Sequence, residues 1–263
     1  MFIRAGSHLH HVQVDGPVRG DVIVFVNSLG TDLRIWDDVV APLTASFGVV
    51  RYDMRGHGLT PPSDPPYSID DLAGDLERLI DIFHVPRVTI CGISVGGQVA
   101  LQVAKHRPHQ VERLILCDTG YRIGTADLWA QRIAAVSNGG LAAISDAVVS
   151  RWFTERYRAE RPDDAAGYKY MLERCTVDGY TGVCAALRDA DLESAARGIV
   201  CPTLVLCGDQ DLATPPALNS ALAEAIPGAV FRSIPGAGHL PCIEQPAVLS
   251  AHVAAFAGSH AHV

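Results

Sequence analysis

The longest apolar runs in this sequence, such as Val22-Ile23-Val24-Phe25-Val26, fall far short of the roughly 20 residues that a membrane-spanning helix needs. Met1-Phe2-Ile3-Arg4 does not open the charged-then-apolar pattern of a secretory leader. Together these absences predict a soluble, cytoplasmic protein without a membrane partner. There is no basic cluster, and the formal net charge is −8, which argues against a nucleic-acid partner. Any anionic substrate would therefore have to be held by individual cations. No CxxC pair occurs among the seven cysteines (Cys91, Cys117, Cys175, Cys184, Cys201, Cys207 and Cys242), an odd set. Several lie within apolar runs, so they are expected as small buried residues in a reducing compartment, with neither a disulfide framework nor a zinc site. Repeats and low-complexity segments are missing too, and only the histidine-containing tail after Gly258 is expected to fray.

What is present is enough for a large core: 263 residues, 48% of them hydrophobic, suffice for one α/β domain or one domain carrying an insertion. Short β-branched runs at Asp21–Asn27, Val49–Asp53, Arg87–Cys91, Val111–Cys117, Thr203–Cys207 and Val230–Ile234 alternate with longer helical patterns. That alternation predicts an α/β fold with a mostly parallel central sheet and helices on both faces. Between Thr119 and Gly198 the strand signal vanishes. Helices are predicted there at Ala126–Val136, Gly140–Phe153, Asp163–Cys175 and Asp178–Asp189. The expected division is a core of residues 1–118 and 199–263, with residues 119–198 as a helical cap inserted between two strands, over the sheet edge.

The string GISVGG at 92–97 lies between a strand pattern and the helix-forming stretch from Gln98. This is the setting of a nucleophile elbow, in which glycines permit a sharp turn and leave Ser94 projecting at the carboxyl edge of the sheet. A serine nucleophile needs a base in hydrogen-bond reach and a third group to orient that base. His239 follows the last strand in the flexible loop Pro235-Gly236-Ala237-Gly238, on the same edge, and is the candidate base. The other ten histidines (8, 10, 11, 57, 84, 106, 109, 252, 260 and 262) have no comparable placement, and most are read as surface residues.

The acid leaves a choice. Asp211, in the loop after Cys207 and just before Thr214-Pro215-Pro216, is favoured, while Asp209 and Asp118, the latter at the end of the preceding strand, remain alternatives. An oxyanion would be held by the backbone N–H of Val95, next after the serine, and by that of Leu29 in the loop Asn27-Ser28-Leu29-Gly30. The start of the helix after Ser94 adds its positive end to the same place.

The chain resembles the α/β-hydrolase superfamily and, within it, the 3-oxoadipate enol-lactonases of bacterial aromatic catabolism. The resemblance is carried by FVNSLGTDLRIWD (25–37), RYDMRGHGLT (51–60), GISVGGQVALQ (92–102), LILCDTGYRIGTADLW (114–129), VCAALRDADL (183–192) and GAGHLPCIEQP (236–246). It implies a carboxylic-ester hydrolase that needs no metal or cofactor and opens a five-membered enol-lactone bearing a carboxymethyl group. Ser94 would attack the lactone carbonyl and His239 would take its proton.

Such a substrate is anionic, and burying its carboxylate without a cation would cost several kcal/mol. Arg34, near the oxyanion loop, and Arg122 and Arg132, near the start of the cap, are the candidates, with Trp129 on the same helical face as Arg132. Trp36, Trp152 and Tyr121 are expected as packing residues, and Arg55-Gly56-His57-Gly58 as a turn shaping the pocket floor. Serine at 94 removes dehalogenase and epoxide-hydrolase chemistry, which place aspartate there. A carboxylesterase, a carbon–carbon bond hydrolase and a cofactor-free perhydrolase remain as alternative activities, and a non-catalytic small-molecule receptor as a distant one.

Overall fold

A computed structural model describes residues 1–18 and 20–259 of the chain. Eight strands form one sheet: β1 (Phe2–Ala5), β2 (His8–Asp15), β3 (Val22–Val26), β4 (Gly48–Tyr52), β5 (Val88–Ile93), β6 (Val111–Cys117), β7 (Thr203–Gly208) and β8 (Val230–Ile234). Their spatial order is β1-β2-β4-β3-β5-β6-β7-β8. From β4 to β8 every pairing is parallel, whereas β1–β2 and β2–β4 are antiparallel.

The parallel strands are buried on both sides, as the unbroken run Val22–Val26 demands: every residue of β3, β4 and β5 is buried. One helix layer contains Ile69–Ile82 and Val95–His106, which pack on each other, and another pairs Asp37–Val40 with Pro246–Ala257. Ser68 and Asp71 form a reciprocal capping box at the start of Ile69–Ile82.

The six strands read from the sequence are all present. β1 and β2 were not read, because HLHHVQVD mixes histidine and glutamine into its apolar positions. β2 has the half-buried pattern of a strand with one face on the core, a weaker signal than the fully apolar parallel runs. Between β6 and β7 the chain forms only helices: Ala126–Gly139, Ser145–Trp152, Glu155–Glu160, Pro162–Glu173, Val177–Asp189 and Glu193–Arg197, with a 3-10 turn at Leu141–Ala143. The single helix expected over 140–153 is divided. Gly140 ends the preceding helix at φ 67°, and the 3-10 turn must pass before a regular helix restarts at Ser145.

All seven cysteines are buried and free. Reading most of the histidines as surface residues fails for His10 and His57, both fully buried. His10 lies 3.8 Å from Asp75, which the Arg55 guanidinium grips through two of its nitrogens, Nε and Nη2, and the His57 ring stacks at 6.5 Å on Tyr180. His260, His262 and the end of the expected fraying tail lie outside the described residues.

Candidate active site

β5 runs to Ile93 and the next helix begins at Val95, so the turn between them is a single residue. That residue is Ser94, held at φ 58° and ψ −124°. A side chain in this left-handed region costs about 1–3 kcal/mol and persists only where neighbours enforce it. They do so here: Ser94 N–H donates to Cys117 O of β6 at 3.0 Å, and the Thr119 hydroxyl donates to Ser94 O at 2.6 Å. Glycine is obligatory beside it. A Cβ on Gly92 would collide with the carbonyl of Gly96, and one on Gly96 would collide with the carbonyls of Val26 and Asn27.

The last contact joins two loops. Because Gly96 lets the first turn of the helix lie against the end of β3, Val95 and the loop containing Leu29 are brought together. Val95 opens the helix, so its N–H has no acceptor one turn back. Asn27 fixes the other side: its amide donates to Tyr52 O at 2.8 Å and its carbonyl accepts from the Trp36 indole at 3.0 Å. Trp36 is thus a core residue, packed against Phe25, as expected.

Asp211 is the acid partnered with His239, and the distance from its Oδ2 to His239 Nδ1 is 2.9 Å. The same carboxylate accepts from Ala213 N–H, Thr214 N–H and the Thr214 hydroxyl, the last at 2.6 Å. Burial pushes its carboxyl upward, but His239 and the bonds from His239 and Thr214 outweigh that and keep it below the usual range. Asp209 instead accepts from Gly236 N–H at 2.8 Å and ties its loop to the one that carries His239. Asp118 accepts from Gly208 N–H at 2.8 Å, and burial together with the Asp211 charge raises its carboxyl far above the usual range.

Ser94, His239 and Leu29 line one cavity with Ile123, Trp129, Arg132, Trp152 and Tyr180. The Arg132 guanidinium lies 5.5 Å over the Trp129 ring and reaches the Tyr180 hydroxyl at 3.3 Å. Among the described residues it has no carboxylate partner. Arg34 and Arg122 do not line this cavity: Arg34 is doubly bonded to Asp32, and exposed Arg122 is paired with Asp191 at 2.6 Å. Each is neutralised by a nearby carboxylate, which sequence spacing does not reveal.

A family model described as the alpha/beta hydrolase fold matches residues 21–246. The chain belongs to the α/β-hydrolase family. It is a hydrolase, and it is 34% identical to 3-oxoadipate enol-lactonase 2 of Acinetobacter baylyi, over 89% of this chain and 86% of the relative. The solved enol-lactonase of Burkholderia xenovorans LB400 superposes with a TM-score of 0.95 at 36% identity, over 98% of this chain and all of that one. A malate-bound thermophilic esterase from Thermogutta terrifontis gives 0.89 at 25% identity, over 95% of this chain and 93% of that one.

Several residues of this α/β-hydrolase site escaped the sequence reading. Thr214 bonds Asp211 and also lies 3.2 Å from His239 Nδ1, and its carbonyl is held by Asn219 at 2.7 Å. Arg151 lines the cavity and donates to Leu212 O at 2.7 Å. Trp152, expected only to pack, lines the cavity as well. Glu244, within the PCIEQP segment, accepts from the Thr154 N–H and hydroxyl with one oxygen and from Gly238 N–H with the other. The 55–58 turn does not line the cavity itself; His57 stands behind Tyr180, which does.

Proposed function

We propose that this hydrolase opens 3-oxoadipate enol-lactone to 3-oxoadipate through an acyl-enzyme on Ser94, as a step in bacterial aromatic catabolism. The observation that carries the reading is a single cavity lined by Ser94, by His239 with Asp211 bonded behind it, and by Arg132, which has no carboxylate partner among the described residues. Similarity to two enol-lactonases supports the choice of substrate.

In this reading Ser94 Oγ attacks the lactone carbonyl while His239 takes its proton through the ring nitrogen that Asp211 leaves free. The N–H groups of Leu29 and Val95 hold the tetrahedral oxyanion, where a single donor is worth about 10²–10³ in rate. Collapse expels the ring oxygen as an enolate, His239 protonates it to the enol, and the enol relaxes to the ketone. The leaving group stays tethered to the acyl chain. Water activated by His239 then releases the product, and Ser94 recovers its proton. Arg132, backed by Trp129, holds the carboxymethyl carboxylate, and residues 119–198 act as a cap that carries both.

The test follows loss of the conjugated enol-lactone by ultraviolet absorbance, with wild type beside Ser94→Ala. Wild-type turnover that falls by about 10⁴-fold or more in the variant, with the fold unchanged, supports the reading. Near-normal turnover by Ser94→Ala would sink it. A wild type that hydrolyses simple aryl esters much faster than the lactone would favour a carboxylesterase instead.

A further inference from the structure

Asp118 is fully buried directly after β6, with its backbone at φ 45° in the left-handed region. Its Oδ1 accepts from Gly208 N–H, whereas its Oδ2 has no partner. One oxygen of Asp118, one of Asp211 and a ring nitrogen of His239 lie within 4.8 Å of one another. Supporting the Gly208 amide needs only one acceptor. The second oxygen accepts no hydrogen bond.

The distribution of donors decides where the charge of the pair resides. Asp211 receives bonds from two backbone amides, a hydroxyl and an imidazole; Asp118 receives one. Two buried carboxyls this close do not both ionise readily, and the better-solvated one keeps the charge. Asp118 therefore carries the proton. The other titratable groups acting on this spot are buried thiols that stay neutral: Cys117, raised by its bond with Cys91 and by burial, and Cys207 and Cys242, raised chiefly by burial.

We propose that Asp118 is a positioning residue: a neutral acid behind the Asp211–His239 pair, which loses its proton and orients His239 when the Asp211 charge is removed. The proposal rests on the reading of Asp211 and His239 as the working acid and base. Loss of the Asp211 charge removes the repulsion that, next after burial, favours the protonated form of Asp118, and the ring nitrogen is already within reach of a small side-chain shift. The proton passes to solvent, so the buried pair returns to one negative charge.

The experiment compares wild type, Asp118→Asn, Asp211→Asn and the double variant on 4-nitrophenyl acetate between about pH 5 and 9, with thermal melting of each. Asp118→Asn keeps the acceptor for Gly208 and is expected to cost about threefold. Asp211→Asn is expected to lose much less than the ~10⁴-fold typical of a triad acid, and its activity should climb with pH as Asp118 ionises. The double variant is expected to fall at least about tenfold further and to lose that climb. A double variant no slower than Asp211→Asn, with the same pH profile, overturns the proposal, as does a loss above about a hundredfold in Asp118→Asn with its melting temperature retained. If wild type is as slow on the ester as Ser94→Ala, the serine-hydrolase reading fails instead; active wild type with matching Asp211→Asn and double variants sinks only the role of Asp118.

Discussion

The backbone of His239 is bonded to that of Trp152: His239 N–H donates to Trp152 O at 2.9 Å, and Leu240 N–H reaches the same carbonyl at 3.3 Å. Trp152 ends a helix of the 119–198 segment and lines the cavity, so the candidate base is anchored to the cavity wall. Displacing that helix end would displace the imidazole.

Glu244 reinforces this joint, because Thr154 and Gly238 donate to its two oxygens. Burial raises its carboxyl above the ordinary value despite those donors. Glu244→Gln replaces one accepting oxygen with an amide that faces a donor, leaving a buried N–H unpaired at a cost of about 1–3 kcal/mol. Calorimetry should show a melting point lower by roughly 2–8 °C.

Thr214 donates to Asp211 and flanks His239, so its hydroxyl contributes to holding the pair in line. Thr214→Val keeps the shape and removes the donor. The expected result is a fall in kcat of about tenfold with little change in KM, read from steady-state kinetics on the lactone.

Arg132 is expected to act on charge and not on acyl transfer in general. Arg132→Ala should raise KM for the lactone by about 10–100-fold while leaving hydrolysis of a neutral aryl ester within about threefold of wild type. Arg34→Ala and Arg122→Ala, whose guanidinium groups are committed to Asp32 and Asp191, should leave both substrates unaffected.

Acid stability depends on Asp75. Burial acts to raise its carboxyl, but the neighbouring His10 and the doubly bonded Arg55 outweigh it and hold it well below the ordinary range. Because the folded value is depressed, the stabilisation is fully present above the unfolded value of about 3.9 and is lost as pH falls through the folded one. Asp75→Asn should therefore lower stability at neutral pH by about 3 kcal/mol or more, and reduce its dependence on pH below about 4, in urea titrations.

The parallel strands were legible because burial on both faces leaves nothing but apolar residues to write them with, as in Val22–Val26. β2 was not, since a strand with one face on the core tolerates the histidines and glutamine that blur its alternation. Ser94 and His239 were visible through their glycine-rich turns. Thr214 and Asn219 were not, because an ordinary polar residue gains its role only from the loop that folds beside it. Likewise nothing in the spacing of Arg34, Arg122 and Arg132 separates a paired guanidinium from an unpaired one; the distinction is made by Asp32 and Asp191. Asp118 and Asp211 are both aspartates after a strand, and only the count of donors around each tells them apart.

The interruption of the sheet between Cys117 and Thr203 has a consequence for how such an enzyme could diversify. Ser94, Asp211, His239 and Leu29 are encoded outside that stretch, while Trp129, Arg132, Arg151 and Trp152 are encoded inside it. A contiguous piece of sequence can therefore be exchanged to alter what is recognised without rewriting the bond-breaking apparatus. The graft must preserve the few groups of this stretch that touch the apparatus: the Thr119 hydroxyl on Ser94 O, the Trp152 carbonyl that accepts from His239 and the Thr154 donors to Glu244.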